Sequence, residues 1–402
     1  MTTSPFSDVS LAPKDPIFGI TEAFNADPRP TKVNLGVGVY LDDSGKIPVL
    51  AAVREAELAR AQTALPRGYL PIDGIAAYDE AVKTLLFGAD SALRKSGRLV
   101  TAQALGGTGA LKIGADLLQR LHPGAAVLIS DPSWENHRAL FEAAGFKVAT
   151  YPYYDAKTNG VDFAGMRAAL KAAAPGTIVV LHACCHNPTG VDLTPEQWRE
   201  VVGLVAERSL VAMLDFAYQG FADGLEADGA AVRLFAESGL AFLIASSFSK
   251  SFSLYGERVG GLSIVTTSAD EAARVLSQLK RVIRANYSNP PTHGGAVVAA
   301  VLGDARLRAL WETELGQMRD RIKKMRHALV AKLADRKVGR DFAFVERQKG
   351  MFSYSGLTEA QVARLAKDFG VYALSTGRIC IAALNERNID YVCDAIAAVL
   401  KD

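Results

Sequence analysis

The chain has 402 residues, 49% hydrophobic and 22% charged, with a net charge of +2. That length suits two or more domains around a sizeable core. The near-neutral balance argues against a nucleic-acid face or a polybasic membrane surface. The four cysteines, Cys184, Cys185, Cys380 and Cys393, form no CxxC pair, so neither a disulfide framework nor a zinc ribbon is expected.

Residues 1–32 are rich in Pro, Asp and Ser and read as an arm or surface segment, with no apolar signal core. From about 98 to 265 the runs "AAVLISD", "TIVVLHA", "LVAMLDFA", "LAFLIASS" and "GGLSIVT" alternate with stretches of helical periodicity. This alternation predicts parallel βαβ units covered on both faces, with ligands at the carboxyl ends of the strands. A helical stretch follows over about 305–335, where apolar residues recur at spacings of three and four. Its basic run "RDRIKKMRH" (319–327) reads as a solvated helix face. Strand-like pieces "DFAFV" and "GMFSYSG" and closing helices at about 358–369 and 388–400 complete a smaller α+β unit. No internal repeat or low-complexity segment is present.

Polar residues collect where the apolar strands end. "LGGTGAL" (105–111) is a glycine turn entering a helix, able to hold a phosphate on free backbone N–H groups or merely to tighten a corner. It is neither a P-loop nor a dinucleotide fingerprint. "HACCHNPTG" (182–190) carries His182 and His186, but Pro188 and Gly190 make it a turn, so hydrogen-bonding histidines are favoured over a metal site. Asp215 ends the next strand, as a helix cap or as a functional acid. One strand later comes Lys250 in "SSFSKSFSLYGERVGG", among serines and eight residues before Arg258. A desolvated amine loses pKa and becomes nucleophilic. An amine, a strand-end acid, serines, an arginine and a glycine turn together suit pyridoxal phosphate, which needs an aldehyde anchor, a partner for its ring nitrogen and a phosphate cup.

With these residues in place, the chain from about residue 12 onward closely resembles the class I pyridoxal-phosphate aminotransferases of the aspartate/aromatic subgroup. "NLGVGVY", "GGTGAL", "DPSWENH", "CHNPTG", "DFAYQGF", "SFSKSFSLYGERVG", "RANYSNPP" and "STGRIC" occur in that family's order. The resemblance implies an α/β fold of fold type I. A large domain (48–317) holds a mostly parallel seven-stranded sheet, and a smaller α+β domain is built from 8–47 and 318–402. An N-terminal arm (1–15) and a homodimer with shared active sites are implied as well. By position, Lys250 matches the Schiff-base lysine and proton-moving base, Asp215 the partner of the pyridine nitrogen, and Asn187 and Tyr218 the groups bonding the phenolate oxygen. Trp134 matches the stacked aromatic and His137 the histidine orienting Asp215. Gly107, Thr108, Ser247, Ser249 and Arg258 align with the phosphate cup, to which Tyr69 reaches from the neighbouring subunit. Arg378 matches the clamp on the substrate α-carboxylate, with Gly38 close by and Trp134 and Asn187 also against substrate. Arg284 matches the arginine that crosses the interface to a side-chain carboxylate. Bidentate guanidinium–carboxylate geometry explains arginine at both clamps.

The activity implied is ping-pong transamination from an amino acid to 2-oxoglutarate, with no metal, in the cytoplasm. Leu41 and Ile47 follow the apolar pattern of aromatic-capable members, Gly68 fits neither pattern, and Val39, Thr108 and Asn289 look like the aspartate form. Tyrosine and phenylalanine are therefore expected as donors beside aspartate, with a specialised aspartate enzyme as the alternative. Another pyridoxal-phosphate reaction, or a non-catalytic binding protein of the same fold, is opposed by the paired arginines and by Lys250 with Asp215.

Overall fold

The computed structural model describes residues 4–12, 15 and 17–401. Residues 1–3, 13 and 14 of the expected arm lie outside the described residues. The runs singled out above become the strands of one seven-stranded sheet: β1 (Leu99–Leu105), β2 (Ala126–Asp131), β3 (Lys147–Pro152), β4 (Ile178–His182), β5 (Val211–Phe216), β6 (Phe242–Ser247) and β7 (Val259–Val265). Their order across the sheet is β1-β7-β6-β5-β4-β2-β3. Six strands run in one direction, and β7 alone is reversed, antiparallel to both β1 and β6. The expectation of parallel units through "GGLSIVT" is corrected there. The chain passes from β6 to β7 through the short loop 248–258, too short for the crossover that a parallel neighbour needs.

The central strands are buried on both faces, which is why they read as continuous apolar runs. The pleat divides their side chains between two cores. Val179, Leu181, Leu214 and Ile244 face one, while Ile178, Val180, Met213, Leu243 and Ala245 face the other. By the same alternation His182 and Asp215, paired in register on β4 and β5, share the second face. The helix Gly106–Leu121 covers that face with Ala110, Leu111, Ile113 and Leu117.

The long helix Ala305–Asp335 buries Leu307, Trp311, Leu315, Met318, Ile322, Met325, Leu329 and Leu333 at spacings of three and four. The closing helices are Glu359–Phe369, opened by a Thr358–Gln361 capping box, and Ile389–Leu400. Both chain ends meet where Val33–Asn34 pairs in parallel with Val371–Tyr372. Phe352–Tyr354 pairs antiparallel with Arg378–Cys380. One expectation fails. "DFAFV" is not a strand, since Phe344–Arg347 forms a helical turn that buries Phe344 and Val345. Within the segment 1–32, read as an arm or surface segment, Phe18–Ala26 is a helix.

Candidate active site

The carboxyl ends of β4, β5 and β6 open into a cavity of about 340 Å³. Its walls include Gly38, Gly107, Thr108, Trp134, Asn187, Asp215, Tyr218, Ser247, Ser249, Lys250, Arg258 and Arg378. Sequence positions from 38 to 378 are thus gathered at one edge of the sheet. His137, also named from sequence, lies fully buried behind the wall.

One end of the cavity is a cup for an anion. The helix Gly106–Leu121 begins with no side-chain cap, so its first N–H groups and dipole are free for a negative group. Gly106 has φ +70°, and a Cβ there would lie 2.5 Å from Arg258 Nη2. Only glycine admits the guanidinium so close to the helix start. A Cβ on Gly107 would sit 3.0 Å from that of Ser247. Arg258 Nη1 donates to Ser249 Oγ at 3.3 Å and to the Tyr255 carbonyl at 2.9 Å, and Ser247 Oγ donates to Ser249 Oγ at 3.2 Å.

Asp215 is not a helix cap. Its Oδ2 accepts from His137 Nε2 at 2.8 Å, and His137 Nδ1 bonds Ser133 Oγ at 2.9 Å. Burial pushes the Asp215 carboxyl up, yet the His137 hydrogen bond and the fields of His137, His182 and Lys250 outweigh it and hold it below its ordinary value. Lys250 behaves conversely. Burial pushes its amine down to about 8; Asp215 opposes the fall, while the Arg258 and Arg378 charges add to it. Lys250 Nζ stands 4.8 Å above the centre of the Tyr218 ring.

At the far end Arg378 is 1% exposed. It donates from Nη1 to Asn187 Oδ1 at 3.0 Å and from Nη2 to the Gly36 carbonyl at 2.6 Å, while its buried Nε has no partner. The guanidinium lies 4.2 Å over the Phe352 ring. A Cβ on Gly38 would come within 2.6 Å of that ring, so glycine keeps the wall thin beside Arg378. An arginine held flat with a free N–H edge is arranged to grip a carboxylate.

Tyr69 is 96% exposed and Arg284 is also exposed, its Nη1 bonded to Ser288 Oγ. Neither lines the cavity of its own chain. Sequence reasoning missed Tyr255 and Phe352 as wall residues, although both stand inside quoted motifs. It also misread Arg326, placed on a solvated helix face. That side chain is 3% exposed and donates to the carbonyls of Val345 (3.2 Å), Gly350 (2.7 Å) and Phe352 (2.5 Å). Of the two turn histidines, His186 bonds Ser130 and Thr189 at 2.9 and 2.8 Å, but both ring nitrogens of buried His182 lack a protein partner.

Residues 30–396 match the family model described as aminotransferase class I and II. The chain is 64% identical over 397 residues to an aspartate aminotransferase of Pseudomonas aeruginosa, covering 99% of this chain and all of that protein. It is 51% identical to the aromatic-amino-acid aminotransferase of Escherichia coli, covering 98% of this chain and all of that one. A crystal structure of an aromatic-amino-acid aminotransferase from Burkholderia pseudomallei, covalently bound to pyridoxal phosphate, superposes with a TM-score of 0.97 at 70% identity, covering 99% of this chain and all of that chain. Among the described residues no helix is long and apolar enough to cross a membrane. Matched over nearly its whole length in sequence and, with the solved structure, in fold, the chain belongs to the class I and II aminotransferase family and is an aminotransferase.

Proposed function

We propose that the chain is a pyridoxal-phosphate transaminase of the cytoplasm, taking the amino group of tyrosine, phenylalanine and aspartate to 2-oxoglutarate. One observation carries this reading: a lysine of lowered pKa and a buried carboxylate share a cavity bounded by an anion cup and a half-satisfied arginine. The cavity fits the cofactor. The two glycines leave room beside Arg258 and Ser247 that any Cβ would fill, and the cup presents donors from Ser247, Ser249, Arg258 and the helix start to a phosphate. When bound, pyridoxal phosphate supplies an aldehyde and an electron-withdrawing ring that weakens the bonds at an amino acid's Cα.

The residues divide the remaining work. Asp215, kept ionised by His137, would hold a proton on the ring nitrogen. Asn187 and Tyr218 would bond the ring oxygen, and Trp134 would supply an aromatic wall for the ring. Lys250 Nζ is the amine that would hold the aldehyde and, with its lowered pKa, would serve as the base for a proton at the substrate Cα. Arg378 orients the α-carboxylate through its open Nε edge. In our reading the residues divide into a large domain (48–317) and a smaller one (8–47 with 318–402). Tyr69 and Arg284, idle on their own chain's surface, serve the partner's site in a homodimer.

The test is single-turnover half-reactions of the loaded enzyme with aspartate and with phenylalanine, before and after Arg284→Leu. Both donors react with the parent. The variant loses roughly thirty- to several-thousand-fold in kcat/KM for aspartate, as expected on truncating one partner of a desolvated charge pair. Phenylalanine stays within about tenfold, because no ion pair is lost. Equal losses refute dual specificity through Arg284. A parent inert towards phenylalanine makes the enzyme an aspartate specialist.

A further inference from the structure

We infer that Gln103, outside the cavity, is the positioning residue that sets Tyr69 and Arg284 in register for the partner's site. The inference rests on the shared-site reading above and adds to it the device that makes such sharing accurate.

Gln103 lies on β1, the edge strand, and is 1% exposed. On its inner side it faces Gly261 of β7. The outer edge would leave main-chain groups unpaired. They are taken by two other segments: Gln103 N–H donates to the Asp73 carbonyl at 2.8 Å, and its carbonyl accepts from Tyr287 Oη–H at 3.4 Å. The side chain repeats this division. Its Oε1 accepts from Ile75 N–H at 3.3 Å and its Nε2 donates to the Pro291 carbonyl at 2.8 Å. One residue therefore ties 73–75, which follows Tyr69, to 287–291, which follows Arg284.

Two glycines close on the same amide. A Cβ on Gly74 (φ +105°) would stand 2.4 Å from Gln103 Cβ, and one on Gly295 would stand 2.4 Å from Nε2. The segments press against the amide with no side chain between, so its hydrogen bonds set their spacing. The Tyr69 side begins a tight turn in which Gly74 N–H donates to the Pro71 carbonyl at 3.0 Å. The Arg284 side ends a helix whose last turn is closed by Tyr287 and Ser288 N–H groups on the Ile283 carbonyl at 3.0 and 3.1 Å. Both connections are short and hydrogen-bonded, with Asp73 four residues after Tyr69 and Tyr287 three after Arg284. Gln103→Leu keeps the volume but breaks the amide bridge, leaving Ile75 N–H and the Pro291 carbonyl unpaired. Gln103→Glu keeps the acceptor for Ile75 and sets a carboxylate oxygen against the Pro291 carbonyl.

The test uses loaded hybrid dimers in which one chain carries Lys250→Ala, so that a single competent site remains. That site belongs to the intact-lysine chain and takes Tyr69 and Arg284 from the other. With Gln103→Leu on the Lys250→Ala chain, kcat/KM for aspartate should fall roughly ten- to hundredfold, mostly through KM, and phenylalanine should lose less. With Gln103→Leu on the intact-lysine chain, both donors should stay within about twofold of the unmodified hybrid. The opposite pattern, or equal losses from either chain, overturns the inference. Gln103→Glu stands in if the leucine variant does not assemble, with the same expectation. Arg284→Leu placed in the same two ways separates the failures. If it acts within its own chain, the shared-site reading fails. If it acts across the interface while Gln103→Leu and Gln103→Glu do not, only the role of Gln103 fails.

Discussion

The amine of Lys250 offers the most direct measurement of the site's electrostatics. A free lysine titrates near 10.4, whereas burial with Arg258 and Arg378 nearby pushes Lys250 down to about 8 despite Asp215. At pH 7 about a tenth of the molecules then carry a neutral amine, roughly 200-fold more than for an unperturbed lysine. Competitive acylation reads this directly. Cofactor-free protein is treated with trace acetic anhydride from pH 6 to 11, and the peptide bearing Lys250 is quantified against those of exposed lysines. Labelling of Lys250 should reach half its plateau near pH 8. Arg258→Met removes a cation and should move that midpoint up. Asp215→Asn removes the opposing anion and should move it down. A midpoint near 10 in the parent, or one indifferent to both substitutions, would show that the cavity is wetter than its geometry implies and that neighbouring charges do not tune the amine.

Two further outcomes follow from buried groups away from the chemistry. Asp79 is 7% exposed with Oδ1 unpartnered, and burial pushes its carboxyl up to about 8, with Lys83 opposing and Asp73 and Glu80 reinforcing. The unfolded chain ionises near 4 and the folded one near 8, so stability falls as pH rises through that window, by up to about 5 kcal/mol. Denaturation midpoints of parent and Asp79→Asn should therefore coincide near pH 4 and separate, with the variant more stable, by pH 8; parallel curves would refute this. Arg326→Met strips three buried carbonyls of their donor and should destabilise by about 2–4 kcal/mol. Because one of them belongs to Phe352, beneath Arg378, the variant's KM for amino acids should also rise; an unchanged KM would confine Arg326 to stability.

The sheet was legible in the sequence because strands buried on both faces must be apolar throughout, and "TIVVLHA" or "LAFLIASS" can scarcely be anything else. Strand direction left no such mark. "GGLSIVT" has the composition of its parallel neighbours, and only the short loop 248–258 betrays its reversal. "DFAFV" alternates as a strand does, yet its Phe344 and Val345 pack inward from a helical turn, with the Val345 carbonyl held by Arg326. Lys250 and Asp215 stood out as charges ending apolar runs. Arg378 did not, since its meaning lies in Asn187 and Gly36, far away in sequence; only the family resemblance pointed to it. Arg326 was hidden for a related reason: in a basic run, nothing local distinguishes the one cation that turns inward from those that face solvent.

The charge balance of the cavity joins these points. Among its described wall residues the ionisable groups of fixed sign are Lys250, Arg258 and Arg378 against Asp215 alone. His182 adds nothing at neutral pH, because burial and the nearby His186 and His137 drive its pKa well below the ordinary value. Burial drives the Lys250 amine down, the Arg258 and Arg378 charges add to the fall against Asp215, and it is the only one of the three that can shed its charge near neutrality. Arg258 and Arg378 cannot, so each needs an anion. They sit at opposite ends of the cavity, one beside an uncapped helix start and two serines, the other with an open N–H edge over Phe352. A ligand set that satisfies both must bring a phosphate to the first and a carboxylate to the second, with a carbonyl carbon within reach of Lys250 between them. The surplus of cations that adds to the effect of burial on the amine thus also selects what lies beside it.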